Sequence, residues 1–220
     1  VINVASTTVN NVSITWLGYA GFQIKYDNLV IFIDPFILPE SISDGDMADI
    51  ILITHEHPEH CNPDSIRKVR SSNSTTLIPE CMNLQFRGDT RRIMAGDLLL
   101  DELSIKGINI RVVPAHNKKS SYHAEGQGVG YIIEVNGLLI YHTGDTDFIP
   151  DMGLDGRSVD VVLLPIGGIS VMDISTAAEA VSLLSPAMVI PMHYDLETID
   201  PDEFRTLVGD TDSSINVVIL

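Results

Sequence analysis

The stretch Asp49-Ile50-Ile51-Leu52-Ile53-Thr54-His55-Glu56-His57-Pro58-Glu59-His60 governs how the rest of this 220-residue chain is read. Its first half is a short, strongly aliphatic run, the pattern of a buried strand. Its second half places three of the chain's seven histidines and two carboxylates within six positions. A core has no use for that density of imidazole and carboxylate. A transition-metal ion does, because it takes both as ligands at about 2.0–2.2 Å. His55 and His57 are two residues apart and need a turn to converge, and the strand ends there. Pro58 then redirects the chain, so that Glu59 and His60 can face the opposite side of the same pocket. That arrangement suits two ions rather than one, and such pairs sit about 3.5–4 Å apart.

The same transition, from apolar run to ionisable cluster, recurs along the chain. Val112-Val113 leads into Pro114-Ala115-His116-Asn117. The run at 138–141 leads into His142-Thr143-Gly144-Asp145-Thr146-Asp147, and the run at 188–190 into Pro191-Met192-His193-Tyr194-Asp195. Strand ends of this kind predict one shared rim, with a site carried on loops over a rigid scaffold. His116 can complete the ligands of a first ion, Asp145 can bridge, and His193 can complete a second. The plain alternatives are a solvated loop histidine at 116, a turn residue at 145 and a strand end at 193.

Further strands are predicted at 13–16, 22–26, 29–33, 108–113, 129–135, 159–164 and 215–220. Asn136-Gly137 is a strong hairpin turn. Helices are expected at 63–70, capped by Asn62, at 175–184, with Pro186 just beyond, and at 200–208, stopping at Gly209. No repeat or low-complexity linker interrupts the pattern. The expectation is one α/β domain over residues 1–220, of β layers covered by helices.

The bulk composition narrows the function. Thirteen Lys and Arg against thirty Asp and Glu give a formal charge of −17, which repels phosphate backbones and argues against nucleic acid as a partner. Bound divalent cations would offset part of that charge where it matters. Two cysteines, Cys61 and Cys81, make no disulfide framework; a reduced, cytoplasmic protein is the simplest reading, with a single bridge left open. The polar start, residues 1–11, shows no signal peptide, and no apolar run is long enough for a stable membrane anchor.

In their order and spacing these motifs resemble the metallo-β-lactamase superfamily. Its HxHxDH signature, distant His, Asp and final His fall on His55, His57, Glu59, His60, His116, Asp145 and His193. Trp16-Leu17-Gly18, Ile33-Asp34-Pro35, Gly144-Asp145-Thr146, Gly167-Gly168 and Met172-Asp173 are similar to the branch of small metal-dependent hydrolases related to ascorbate-6-phosphate lactonase and N-acyl-phosphatidylethanolamine phospholipase D. The resemblance implies a four-layer αβ/βα sandwich, two mixed sheets face to face with helices outside. It implies a dinuclear centre, zinc foremost, with Mn, Fe or Ni accepted by the same ligands. It implies a hydrolase in which a metal-bound hydroxide attacks an ester, lactone or phosphodiester of a small molecule, with Glu59 and His116 as catalytic groups. A homo-oligomer is compatible with it. β-Lactam hydrolysis fits this branch poorly, and the redox relatives carry a flavin domain for which this chain has no room.

Two positions depart from the family pattern. Glu59 stands where the signature has Asp, one methylene longer, and this motivates an alternative: a metal- or ligand-binding protein of the same fold with little or no turnover. Tyr19 stands where the branch often has His, and its phenol can donate a hydrogen bond or line the pocket. His123, with Lys118 and Lys119, can bind an anionic substrate group or belong to a solvated loop. His142 reads as a supporting or core histidine rather than a ligand, and Asp34 as a carboxylate that orients a metal-bound histidine or simply ends its strand.

Overall fold

Residues 4–40, 42, 46–150, 152 and 156–220 are described by the structure, a computed structural model; the first three residues of the polar start lie outside them. The first sheet holds β1 (Ser6–Val9), β2 (Val12–Gly18), β3 (Gly21–Tyr26), β4 (Leu29–Ile33), β5 (Ala48–Leu52), β6 (Arg70–Pro79) and β7 (Asp89–Ile93), neighbours in space as in sequence. The second holds β8 (Leu98–Leu99), β9 (Asn109–Ala115), β10 (Gly128–Val135), β11 (Leu138–His142), β12 (Val161–Pro165), β13 (Met188–Met192) and β14 (Asn216–Val217). Each sheet begins as an antiparallel meander and ends in parallel strands, from β4 in the first and from β11 in the second. Tight turns make the meanders: Asn10-Asn11 and Asn136-Gly137 both take left-handed φ at each central residue, the twist that two-residue hairpins require.

Side-chain alternation sets the layers. In β5, Ile50 and Leu52 enter the core between the sheets, where they join Tyr131 and Ile133 of β10 and Leu163 of β12. Ile51 of the same strand points the other way, with Ile53 just beyond it, into the apolar layer that holds Ile66 and Val69 of α1 (Pro63–Val69). In β12, Val162 and Leu164 face outward into the layer formed with Ala177 and Val181 of α2 (Ile174–Leu184) and Phe204 of α3 (Pro201–Thr211). The result is the expected αβ/βα sandwich.

Several boundaries differ from the sequence reading. The strands β6 and β7 were not expected, because Ser71-Ser72-Asn73-Ser74 and Asp89-Thr90-Arg91-Arg92 carry little apolar signal. β6 is nonetheless buried from Ser74 to Pro79, while β7 is an edge whose charged residues are a usual protection against strand pairing with other chains. Arg70 opens β6 instead of closing α1, and α3 runs through Gly209 to Thr211, since an exposed glycine costs a helix only about 1 kcal/mol. The final strand is confined to Asn216–Val217.

The strands that matter for chemistry share a direction. β4 and β5 are parallel, and so are β11, β12 and β13. β2 and β9, each two antiparallel steps away, point the same way as β4 and β11 respectively. Asp34, His55, Asp145 and His193 all follow the C-terminal ends of such strands, so they meet at one edge of the sandwich.

Candidate metal centre

At that edge four imidazole nitrogens surround a single carboxylate oxygen. Asp145 Oδ2 lies 2.9 Å from His193 Nε2, 3.2 Å from His60 Nε2, 3.2 Å from His123 Nε2 and 3.6 Å from His55 Nε2. Two donor groups share that carboxylate: His55, His57, His123 and Asp145 in one, His60, Asp145 and His193 in the other. A third grouping, Asp34 with His55 and His60, reflects the support beneath them.

Hydrogen bonds fix which nitrogen each ring presents. Asp34 is fully buried and accepts from Thr54 N at 2.8 Å, from Thr54 Oγ1 at 2.6 Å and from His60 Nδ1 at 2.7 Å. Since the Thr54 hydroxyl gives its one proton to Asp34, it accepts from His55 Nδ1, 2.9 Å away. One carboxylate therefore holds two histidines in the Nδ1-protonated tautomer, directly for His60 and through Thr54 for His55. His123 donates Nδ1–H to the Ser170 carbonyl at 2.8 Å. In all three rings Nε2 faces the centre. The segment carrying His55 is tied across the sandwich as well: Tyr131 Oη donates to the Ile53 carbonyl and Val129 N to the Thr54 carbonyl.

These residues fit a metal. Ligand atoms held tetrahedrally at about 2.0–2.1 Å lie roughly 3.3 Å apart. His55 Nε2 and His57 Nδ1 are 2.9 Å apart, His57 Nδ1 and His123 Nε2 3.3 Å, and the carboxylate distances bracket the same value. His60 Nε2 and Asp145 Oδ1 are buried without a hydrogen-bond partner, and His60 Nε2 meets Asp145 Oδ2 as an ion-pair contact at 3.2 Å. A cation held by His60, Asp145 and His193 would give His60 Nε2 the partner it lacks.

Electrostatics point the same way. Burial and then the His60 charge push His55 well below the ordinary histidine range, and burial with His123 lowers His57. Burial opposes protonation of His60, yet Asp145 and Asp34 outweigh it and raise His60 to about 10. Asp145 would be raised by burial, but His60, His123 and His193 hold it well below the carboxylate range. The centre thus pairs one anionic carboxylate with His55 and His57 pushed toward the neutral form, while Asp145 outweighs burial and raises both His60 and His123.

Three residues of the centre also carry backbone strain. Tyr19, Asp34 and His193 all have left-handed φ, +57°, +44° and +53°, at about 1–2 kcal/mol each for a non-glycine residue. The Tyr19 carbonyl accepts both Trp16 Nε1–H and His193 N–H, and Trp16 stacks on Tyr194. Gly167 has no room for a side chain: a Cβ there would sit 2.3 Å from the His193 carbonyl oxygen.

The residues brought together differ from the expected set. His116, expected as a ligand and catalytic group, belongs to none of the donor groups; its carbonyl is taken by Asp147 N as the chain leaves β9. The loop closes through Asn117 N on the His123 carbonyl, and His123, expected at most to bind substrate, supplies the imidazole. The available signal was the position of His123 just before the glycine-rich entry to β10. Glu59 also lies outside the donor groups, half-buried, close enough to raise Tyr19 and His57 by its charge. His142 is a supporting histidine: it donates Nε2–H to the Ala20 carbonyl and accepts from Gly144 N, just before Asp145. Lys118 is exposed outside the cavity lining.

That cavity, about 250 Å³, has His55, His57, His123 and Asp145 at its base and Tyr122, Cys81, Asn83 and Gln127 on its walls, none of which the sequence singled out as wall residues. Tyr19 covers the other side, its ring 4.3 Å from that of His193.

A sandwich of two mixed sheets with histidines and a shared aspartate on one rim is a metalloprotein architecture of the αβ/βα class. Residues 13–193 match the family model of the Beta-lactamase superfamily domain, and the chain belongs to that superfamily. It is 34% identical to a UPF0173 metal-dependent hydrolase of Pyrococcus furiosus and 35% identical to one of Thermococcus kodakarensis, in each case over 95% of this chain and 96% of the relative. A crystal structure from Parabacteroides distasonis superposes with a TM-score of 0.81 at 31% identity, covering 99% of this chain and 97% of that one. Igni18, a metallo hydrolase of Ignicoccus hospitalis, gives 0.75 at 26%, covering 95% and 94%. These relatives place the chain in the branch of small metal-dependent hydrolases.

Proposed function

We propose that this protein is a dinuclear metal-dependent hydrolase acting on an ester, lactone or phosphodiester bond of a small molecule. The observation that carries it is the convergence of His55, His60, His123 and His193 on Asp145 Oδ2, which gives two donor sets one shared oxygen. Divalent ions there would supply Lewis acidity, activating water and polarising a carbonyl or phosphoryl oxygen. Around them, Asp34 and Thr54 keep His55 and His60 aimed. Tyr19 holds its proton, since burial, Glu59 and Asp145 push its pKa up to about 12, so the phenol serves as a donor to a developing oxyanion. Glu59, near enough to raise Tyr19 and His57 by its charge, would take a proton from the attacking water.

Metal analysis of purified, reloaded protein is expected to give two equivalents of zinc, and His123→Ala to lose at least one, whereas His116→Ala retains both. Less than one equivalent after loading would sink the proposal. Tyr19→Phe is expected to lower kcat on p-nitrophenyl esters or bis-p-nitrophenyl phosphate by about 10²-fold with little change in KM; an unchanged kcat would remove Tyr19 from the chemistry.

A second reading draws on the position of Glu59 outside the donor groups, which leaves the His60 set with three donors. In it the protein binds metal but turns over slowly. Glu59→Asp separates the two: a large gain in turnover supports the slow-binder reading, and robust native turnover rejects it.

A further inference from the structure

The cavity over the metal centre adjoins a second one of about 450 Å³, and the two share Cys81, Gly128 and Val129 as walls. Beyond that joint the lining is Pro79, Ile93, Met94, Ala95 and Pro114. The charged residues on it are Glu80 and Glu125, both carboxylates. Met94 is 53% exposed, an apolar side chain in water at the far wall. A Cβ on Gly128 would fall 3.4 Å from the Ala115 carbonyl oxygen and 3.5 Å from His55 Cβ, in ordinary contact, so this shared wall lies directly against the strand end that carries His55.

We infer that the cleft is bipartite and that the substrate carries an apolar extension, uncharged or cationic, which runs from the metal centre past Gly128 into the second lobe. This inference rests on the hydrolase reading above. Apolar walls favour methylene groups over water. The two carboxylates repel an anionic tail, and the overall negative field adds to that repulsion. The donor groups fix where the reacting bond sits, and the lobe fixes on which side the rest of the molecule lies.

The test is a series of p-nitrophenyl esters, acetate to octanoate, on the metal-loaded protein. The expected kcat/KM rises two- to about fourfold per methylene until the lobe is full. An octanoate-length ester ending in a carboxylate should be about tenfold slower than its neutral counterpart. Ala95→Phe, which narrows the lobe, and Met94→Asp, which charges an exposed position, should each flatten the chain-length slope. Esters cleaved at a rate independent of length, or a carboxylate-ended ester as good as the neutral one, would overturn the inference while leaving the hydrolase reading intact. If no ester is cleaved, ester hydrolysis fails and the lobe is read by binding alone. Saturable fluorescence enhancement of the neutral probe N-phenyl-1-naphthylamine, weakened in both variants, supports the lobe; no enhancement with wild-type protein overturns it.

Discussion

Asp34 shows how much one side chain can settle. Its carboxylate accepts two donors from Thr54 and one from His60, so it sets ring orientation and tautomer for two of the residues facing the centre. Partners of this kind typically change metal affinity by 10–100-fold. Asp34→Asn puts an amide N–H₂ against either the Thr54 amide or the His60 and Thr54 donors, and a competition titration against a chromogenic zinc chelator should find affinity lower by about that factor. Thr54→Val removes the hydroxyl that joins Asp34 to His55 but leaves Asp34 its Thr54 N–H and His60 donors, so its loss should be the smaller of the two. Equal affinities for Asp34→Asn and wild type would mean that the metal, not this network, orients the rings. The residue scale is also where sequence reading was least complete. His55, His57 and His60 announced themselves by density, but His116 and His123 are both single loop histidines. Only the closure of the loop, Asn117 N onto the His123 carbonyl, shows which of them returns to the rim.

At the scale of elements, legibility tracked the apolar signal. β5, β10 and β12 are aliphatic and were plain; β6 and β7 were not, because their pairing, not their composition, makes them strands. Helix α2 was legible from its ends as well as its body. Asp173 is its N-cap, accepting from Thr176 N at 2.8 Å, and that hydrogen bond is the main cause that holds the Asp173 carboxyl below its usual range. The cap also lies at the end of the loop that contributes the Ser170 carbonyl to His123. A depressed carboxylate stabilises above its unfolded pKa and loses that contribution as pH falls through the folded value. Asp173→Ala should therefore cost about 1 kcal/mol at pH 6–7. The gap from wild type should narrow below about pH 4, where the unfolded-state carboxyl protonates. Urea denaturation of the metal-free protein at the two pH values reads this directly. A deficit that is the same at both would show that helix propensity, not the charged cap, is responsible.

For the whole molecule, the metal centre is a joint between layers. His55, His57 and His60 follow the first sheet, while Asp145 and His193 follow the second, and His123 comes from the loop leaving β9. An ion bound by the first donor group would bridge the two sheets, and in a chain of charge −17 it would lower the repulsion among carboxylates. Because the donors are brought together only in the folded state, binding free energy adds to folding stability. At a free ion concentration of about 100 Kd the gain is about 2.7 kcal/mol, which for a chain of this length shifts Tm by about 5–10 °C. Differential scanning fluorimetry after chelation and after zinc addition should show that rise, reversed by excess chelator. His123→Ala takes a donor from the bridging group and should lose most of the shift, whereas His116→Ala should keep it. If both variants and the wild type melted at the same temperature with and without the ion, the joint would not be formed by the residues named.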